Sequence, residues 1–481
     1  MKKILLFLTV FSVCIACKKE EKKTEVKVEE KEEVSGQIYI PEDLLETATI
    51  YEANIRQYSP EGTFNAFTRD IPKLKELGID IIWIMPVYPI SKTKRKAEGD
   101  IFVEDIKDPA AREKVLGSYY AVTDYTRVNP EFGTLEDFRK LVQTAHDNGI
   151  YIILDWVANH TGWDHIWLKE HPEYYTQNEK GEVIDPINPD TGESWGWGDV
   201  ADLNYDNRDM RKEMIEDMKY WVEEENIDGF RCDVASAVPV DFWETATAEL
   251  REIKPVFMLA EAESPELLKK AFDMQYGWEF LHIMNGIAKG EKTVKPLDHY
   301  METRDDLLED DDMYMYFTSN HDENSWSGTV YERYGDGAET FAALTYMLPG
   351  MPLIYSGQEY DMNKRLAFFQ KDSIPRTPGK FYPFYAKMNV LKGSNKALHG
   401  GKDAASYTRI VTGKDEKIIA FKREKENDEV VFMANLTAKK VDFSVDLNGN
   451  YKSYRDESQK SFTGKTQLSF QPWEYKIWIK E

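Results

Sequence analysis

The sequence predicts an α/β fold: a closed (β/α)8 TIM barrel with a small inserted domain after the third strand and a C-terminal antiparallel β-domain. Three observations lead to this prediction. Eight short β-rich runs alternate with helix-like amphipathic segments between residues 48 and 390, as in βα units around a parallel sheet. The connection after the third run, about 65 residues long, exceeds any simple crossover. The last stretch of about 85 residues loses helical periodicity and alternates apolar with polar residues.

Residues 1–16 have the pattern of an export signal peptide. The chain begins with Lys2 and Lys3, continues with an apolar run over residues 4–16, and has a small residue just before Cys17. The apolar run is too short for a good membrane-spanning helix. The segment "CIAC" resembles the lipobox of bacterial lipoproteins, which implies that Cys17 is lipidated; an ordinary cleaved signal is the alternative.

Residues 17–36 are predicted to form a charged tether. They are nearly all Lys and Glu and have no apolar face that could pack against a folded domain. With a lipid on Cys17, the protein is expected to be an exported bacterial lipoprotein of the outer membrane. The sequence leaves open whether it faces the cell surface or the periplasm.

Composition narrows the possible partners. The 481-residue chain has 61 basic and 86 acidic residues, so its net charge is 61 − 86 = −25, which argues against nucleic acid and favours a neutral substrate. If Cys17 is lipidated and the signal removed, Cys232 remains as a single thiol and no disulfide is expected. The sequence leaves the oligomeric state open.

The barrel is predicted over residues 37–395. Its candidate strands are residues 49–57, 78–87, 151–160, 229–234, 256–263, 271–276, 315–322 and 350–357. Between the second and third strands, residues 134–149 have a Thr cap, apolar spacing of three and four, and a Gly stop, which predicts a helix. The inserted domain is predicted at about 161–205, and residues 396–481 are predicted to form a β-sandwich.

Four of these strands end in polar groups that a closed barrel would bring to one rim. A lone Asp or His at a strand end is more often a satisfied core residue or a loop cap. Four strands that deliver carboxylates and imidazoles to the same rim instead indicate an active site. The groups are Asp155, Asn159 and His160 on the third strand, Arg231 and Asp233 on the fourth, Glu261 on the fifth, and Asn320, His321 and Asp322 on the seventh.

Two of the carboxyls have different sequence environments. Arg231 and Asp233 are two residues apart and share one face of a strand, so the guanidinium is expected to lower the pKa of Asp233, as suits a nucleophile. Glu261 lies between apolar residues, which is expected to raise its pKa, as suits a proton donor. Such a pair fits retaining glycoside hydrolysis, for which carboxyls about 5–5.5 Å apart are expected.

Six segments resemble characteristic segments of the α-amylase family of glycoside hydrolases. They are "DWVANH" (155–160), "VADLN" (200–204), "GFRCDVAS" (229–236), "LAEAES" (259–264), "FTSNHD" (317–322) and "GMPLIYSGQE" (350–359). The resemblance implies that Asp233 is the nucleophile, Glu261 the acid/base, and Asp322 the third acid, which stabilises the oxocarbenium-like transition state. It also implies that substrate is bound by Tyr120, within "GSYYAVTDY", and by His160, Arg231 and His321.

The sequence departs from the family at one pair of positions. Many starch-cleaving members have a Lys-His pair after the nucleophile, where this chain has Ser236 and Ala237, so binding on the leaving-group side is in doubt. The "VADLN" segment resembles that of neopullulanase-like members, a hint of α-1,4 bonds. Rim tryptophans could stack on sugars or serve only as packing: Trp163, Trp167, Trp195, Trp197 and Trp326.

No cofactor is required by this chemistry. Asn159 matches a calcium ligand of many family members, so calcium stays open, and no zinc spacing is present. The sequence therefore predicts a retaining hydrolase of α-glucosidic bonds in starch-like glucans or maltooligosaccharides. An α-glucan transglycosylase with the same catalytic residues is the first alternative, and a non-catalytic glycan-binding barrel is the second.

Overall fold

Eight parallel strands close a barrel, as the sequence predicts. The structure is a computed structural model that describes residues 38–189, 191–307 and 312–481. Around the barrel each strand pairs with two parallel neighbours, and each overlaps one of the eight predicted runs. The barrel strands are β1 (Ile50–Ala53), β2 (Ile81–Ile84), β5 (Tyr151–Trp156), β8 (Gly229–Cys232), β9 (Phe257–Ala260), β10 (Met274–Tyr276), β11 (Met313–Tyr316) and β12 (Met351–Tyr355).

The barrel strands are short and almost entirely buried, because helices cover the outside and side chains fill the inside. Every residue of β2, β8 and β9 is buried. The parallel register places Asp155 of β5 beside Arg231 of β8. Polar groups that alternate with apolar ones on these strands therefore meet inside the barrel near its C-terminal end.

Fifteen α-helices surround the strands and connect them within the described residues. They are α1 (Glu42–Leu45), α2 (Ile55–Tyr58), α3 (Phe64–Thr68), α4 (Ile71–Leu77), α5 (Pro109–Lys114), α6 (Leu135–Asp147), α7 (Ile166–Glu170), α8 (Arg208–Glu223), α9 (Val240–Ile253), α10 (Pro265–Leu268), α11 (Trp278–Ala288), α12 (Lys295–Leu307), α13 (Val330–Tyr334), α14 (Ala338–Met347) and α15 (Phe381–Ser394). Helix α6 is the one predicted from the sequence. Thr134 and Asp137 form a capping box at its start, and Gly149, at φ +64°, follows its end.

Two small antiparallel sheets interrupt the βα pattern in the connections that follow β2 and β5. Strands β6 (His160–Gly162) and β7 (Val200–Asp202) pair within the predicted insertion, with His160 opposite Asp202. A second pair, β3 (Lys96–Glu98) and β4 (Ile101–Phe102), lies between β2 and β5 and was not predicted. Lys96 Nζ donates to Gly196 O at 3.1 Å, so the two excursions contact each other.

The C-terminal strands form one continuous antiparallel sheet, whereas the sequence suggested a two-sheet sandwich. Strand β18 pairs with β16 only over residues 451–453, so the start of the β16–β17 hairpin leaves the sheet and packs over its face. Phe421 and Phe432 join the barrel core, while Ile418 and Phe443 belong to a second core. The strands are β13 (Ser406–Arg409), β14 (Ile418–Lys425), β15 (Asp428–Asn435), β16 (Val441–Ser453), β17 (Gln459–Phe470) and β18 (Tyr475–Lys480).

The predictions for the start of the chain stay predictions. The proposed signal peptide, Cys17 and the tether over residues 17–36 lie outside the described residues. In the part of the chain that the structure describes, no helix is long and apolar enough to cross a membrane. Cys232 is buried as a free thiol.

Candidate active site

A buried arginine organises the polar residues at the C-terminal end of the barrel. Arg231, fully buried on β8, donates from Nη1 to Asp155 Oδ1 at 2.8 Å and to Asp233 Oδ1 at 2.9 Å. Its Nη2 lies 2.8 Å from Glu261 Oε1, and its Nε donates to the Tyr276 hydroxyl at 3.1 Å. One guanidinium thus joins carboxyls from three adjacent strands, which compensates a charge that would otherwise be costly to bury.

The structure raises the pKa of Asp233, whereas the sequence predicts a lowered pKa. Arg231 does favour its ionised form, but burial and then the charge of nearby Glu261 outweigh this and raise the pKa of Asp233 well above its ordinary value. Asp233 Oδ1 and Glu261 Oε1 lie 2.9 and 2.8 Å from the same guanidinium, so the two carboxyls are close enough for the charge of one to act on the other.

Glu261 lies in a more polar environment than its sequence neighbours suggest. Its carboxyl contacts Arg231, and its Oε2 accepts the Val234 backbone N–H at 2.9 Å. Val234 has left-handed backbone angles (φ 43°, ψ 45°), which are rare for a β-branched residue and cost of the order of 1–3 kcal/mol. This strained turn directly after Asp233 aims the N–H at Glu261 and so couples the two carboxyls.

Asp322 lies at the start of a π-helical turn that follows β11. Its side chain is 39% exposed, the most open of the three predicted acids. Trp326, on the same turn, donates Nε1–H to Asp322 Oδ1 at 3.2 Å, and His321 Nε2 lies 3.4 Å from Oδ2. The turn therefore presents an accessible carboxylate at the mouth, held by two neighbouring donors.

His321 and Tyr120 connect the third acid to the arginine cluster. The Tyr120 hydroxyl donates to Asp155 Oδ2 at 3.1 Å and lies 2.9 Å from His321 Nε2, and its ring stacks on the His321 ring. Burial alone would lower the pKa of His321, but the charges of Asp322 and Glu52 raise it to about 9. The charges of these two acids therefore favour the protonated imidazole.

Sequence reasoning missed Glu52 and Trp83. Glu52, on β1, is fully buried and its Oε1 lies 2.6 Å from His321 Nδ1. Trp83, on β2, donates Nε1–H to Asp155 Oδ2 at 3.1 Å, and Arg231 lies over its ring at 4.7 Å. The sequence does contain a signal for Glu52. It is the single charged residue in the run "TIYEAN", just as Arg231 is a charged residue within an otherwise apolar strand.

His160 lies on β6, beside the insertion. Burial lowers its pKa to about 3, so the ring is neutral, and its Nδ1 lies 3.2 Å from Asn159 Nδ2. Its ring packs edge-on against Trp197, which in turn stacks on Trp195 with ring centroids 5.1 Å apart. Trp195 is 40% exposed, so an aromatic platform extends from His160 to solvent.

The other rim tryptophans differ in their surroundings. Trp167 is buried and donates to Glu213, so it is a packing residue and the possibility of sugar stacking is wrong for it. Trp163 is covered on one face by Lys94, whose Nζ lies 3.3 Å from the ring centroid. Trp326 is half exposed and packs on Phe368, which also stacks on Tyr120.

The metal prediction stays open. Over the described ranges, no group of three or more His, Cys, Asp or Glu side chains has an arrangement that could hold a metal ion. Calcium also binds amide and backbone oxygens, so this observation does not decide the role of Asn159. Ser236 and Ala237 form part of a single turn, residues 235–237, directly after the strained Val234, with Ser236 exposed.

The α-amylase catalytic domain family matches residues 37–442, which include the barrel and every acid described above. The chain belongs to the α-amylase family. The resemblance found in the six sequence segments is thereby confirmed at the level of the family.

Relatives in the α-amylase family are distant in sequence but similar in fold. α-Amylase 3 of Dictyoglomus thermophilum is 26% identical, over 84% of this chain and 87% of that protein. An α-amylase of Haloarcula japonica is 24% identical over 81% of this chain, and the match spans only 55% of that protein. The crystal structure of a maltogenic α-amylase from Thermotoga neapolitana superposes with a TM-score of 0.79 at 25% identity, covering 91% of this chain and 99% of the other.

A second kind of α-amylase-family relative is a transferase. The α-1,4-glucan:maltose-1-phosphate maltosyltransferase of Chlorobaculum tepidum is 32% identical, but over 46% of this chain and 33% of that protein. The family assignment is therefore firm, while hydrolysis and transfer have to be distinguished by experiment.

Proposed function

We propose that this α-amylase-family enzyme is a retaining hydrolase of α-glucosidic bonds, with α-1,4-linked glucans or maltooligosaccharides as its substrates. The observation that carries the proposal is the contact of Asp233 and Glu261 with the same Arg231 guanidinium, at 2.9 and 2.8 Å. Two carboxyls held on one guanidinium fit the close spacing of a nucleophile and an acid/base in a retaining enzyme better than the wider gap that an inverting enzyme leaves for water.

In the first step, a carboxylate oxygen of Asp233 attacks the anomeric carbon and the glycosidic C–O bond breaks. Glu261 transfers its proton to the leaving oxygen. Asp233 must therefore be ionised and Glu261 protonated when substrate is bound. Arg231 favours the ionised form of Asp233, to which it donates a hydrogen bond.

In the second step, water attacks the glycosyl–Asp233 ester and Glu261 accepts the proton of that water. The C–O bond to Asp233 breaks, the carboxylate is released, and the sugar leaves with its α configuration. Asp322, held open at the mouth by Trp326 and His321, stabilises the positive charge that develops on the sugar in both transition states.

The experiment that tests the proposal is product analysis of the purified protein on starch, pullulan, cyclodextrins and isomaltose, with proton NMR of the first product. Maltose-series sugars released as α-anomers are expected. Release of β-anomers first would overturn the retaining assignment, and activity on isomaltose alone would overturn the α-1,4 preference.

A transglycosylase is the second candidate, supported by the maltosyltransferase relatives. Transfer differs only in the acceptor that resolves the glycosyl–Asp233 ester, a sugar hydroxyl in place of water. Strictly longer products from maltooligosaccharides would favour transfer. A non-catalytic glycan-binding barrel is disfavoured, because all three predicted acids are present at one rim.

We further propose that the enzyme is anchored to the outer membrane by a lipid on Cys17. The support is the signal-like start and the charged tether of the sequence. Cys17→Ala is expected to release soluble protein, and protease treatment of intact cells reports which side the enzyme faces. A variant that still fractionates with membranes would refute the anchor.

A further inference from the structure

We propose that Glu52 is a positioning residue that holds His321 in its doubly protonated form, so that both imidazole nitrogens act as donors in the active site. This rests on the proposed function in so far as His321 serves catalysis. The charge of His321 itself depends only on the contacts of its ring, whatever reaction the enzyme catalyses.

Glu52 contacts His321 twice. Its Oε1 lies 2.6 Å from Nδ1 of the ring and accepts the backbone N–H of the same residue at 3.2 Å. Both side chains are buried, with Glu52 fully inaccessible and His321 3% exposed. A carboxylate at this distance from Nδ1 requires a proton on that nitrogen, because two acceptors would repel each other.

The other ring nitrogen is also a donor, which follows from the direction of the hydrogen bonds beyond it. The Tyr120 hydroxyl gives its single proton to Asp155 Oδ2, a carboxylate oxygen that also accepts from Trp83. The Tyr120 oxygen, 2.9 Å from His321 Nε2, is therefore left to accept the proton of that nitrogen. His321 thus donates in both directions: Nδ1–H to Glu52, and Nε2–H to the Tyr120 oxygen, whose hydroxyl in turn donates to Asp155.

The charges around His321 favour this cation. Glu52 from β1, Asp322 beside it in the chain and Asp155 from β5 are acidic, and Arg231 from β8 is the opposing cation. Uncharged rings of Trp83, Tyr120 and Phe368 pack around the imidazole. Glu52 is the one of the acids that makes a short contact with Nδ1, so it is the residue whose charge most directly retains the second proton.

The consequence lies at the catalytic end of the ring. Nε2 lies 3.4 Å from Asp322 Oδ2, so a positive imidazole attracts and orients the third acid. A neutral imidazole that carries its proton on Nδ1 would lose the donor toward both Tyr120 and Asp322. Glu52 thus acts on the reaction through His321 and does not itself reach the mouth.

The test compares Glu52→Gln with a matched control, Glu359→Gln. Glu359 is a carboxyl as buried as Glu52, and it accepts a hydrogen bond at 2.6 Å from the hydroxyl of Tyr51, the residue before Glu52 on β1. Each of the two variants therefore removes one buried acidic group. The NMR titration of the His321 imidazole in the full-length protein is the primary readout. In Glu52→Gln we expect the pKa of His321 to fall by about one unit or more, while Glu359→Gln leaves it near its starting value.

Kinetics provide the second readout. With Glu52→Gln the alkaline limb of the kcat profile should move to lower pH by the same amount, so that a one-unit shift lowers kcat near pH 8.5 roughly threefold with little change in KM. Glu52→Asp retains the charge and should restore part of the His321 pKa and part of the alkaline kcat. If the Gln variant folds poorly, the Asp variant provides the test in its place. An unchanged His321 titration in folded Glu52→Gln or a fall of equal size in Glu359→Gln would overturn the proposal. If the protein proves inactive on every glucan but the titration shifts, the proposed function fails and the role of Glu52 in charging His321 stands.

Discussion

Trp326 donates its indole N–H to Asp322 Oδ1 at 3.2 Å, although half of the tryptophan surface is exposed. The contact orients the carboxylate that we propose stabilises charge on the sugar. Trp326→Phe removes this donor but keeps a ring against Phe368. We expect kcat to fall by roughly 3–10-fold with a small change in KM, because one hydrogen bond to a charged group is lost. Trp195→Phe is the control, and an equal fall in kcat there would contradict the assignment.

Asp233→Asn and Glu261→Gln should differ in their substrate dependence. Asn cannot form the glycosyl ester, so turnover should fall at least about 10³-fold on every substrate. Gln at position 261 cannot protonate a leaving group, but a glycosyl fluoride needs no such proton and should still glycosylate Asp233. Steady-state rates on maltooligosaccharides and on an α-glycosyl fluoride measure the difference. Equal losses on the two substrates in Glu261→Gln would argue against its role as the acid.

The Trp195–Trp197 platform should bind sugar rings beyond the cleavage point. Trp195→Ala removes its exposed ring and is expected to raise KM for maltoheptaose by about 3–10-fold, with little effect on an aryl maltoside that does not reach it. Trp195→Phe restores an aromatic face and should recover most of the affinity. If both substrates respond alike, the platform has no part in binding the longer chain.

Introducing Lys at position 236 and His at position 237 should change which products form more than how fast they form. The turn over residues 235–237 follows Val234, whose N–H contacts Glu261. It occupies the positions of the Lys-His pair of many starch-cleaving family members, so new donors there are expected to contact the sugar beyond the scissile bond. Chromatography of maltooligosaccharide digests measures the distribution. Identical product patterns in the variant and the parent would refute this expectation.

Asp217, on α8, should make stability depend on pH near neutrality. Burial, followed by the charges of Glu213, Asp124 and Glu216, raises the pKa of Asp217 to about 7. A pKa raised in the folded state gives stability that is complete below the unfolded value of about 3.9 and is lost as pH rises through about 7. Asp217→Asn should therefore raise Tm by about 1–2 °C more at pH 8 than at pH 5. Glu223→Gln, which alters an exposed acid on the same helix that does not act on Asp217, is the control, and a pH-independent shift in Asp217→Asn would contradict the assignment.

The eight barrel strands were predictable because each is a local pattern. A buried parallel strand here is a short run of apolar residues with polar groups at its end, as in "GFRCDV". The start and end of helix α6 are likewise marked in the sequence, by Thr134 and Gly149. The six family-like segments likewise identify Asp233, Glu261 and Asp322 from the printed residues. The sequence by itself thus determined the barrel, the family and the candidate acids.

Only the tertiary structure decided how those acids behave. Arg231 contacts carboxyls on β5 and directly after β8 and β9. The burial of Asp233, followed by the charge of Glu261, reverses the pKa direction expected from the Arg231 neighbour alone. Burial and the charge around a group are sums over elements that are distant in the chain, and no local pattern contains those sums. For the same reason Glu52, 269 residues before His321, became part of the active site only when β1 closed the barrel beside β12.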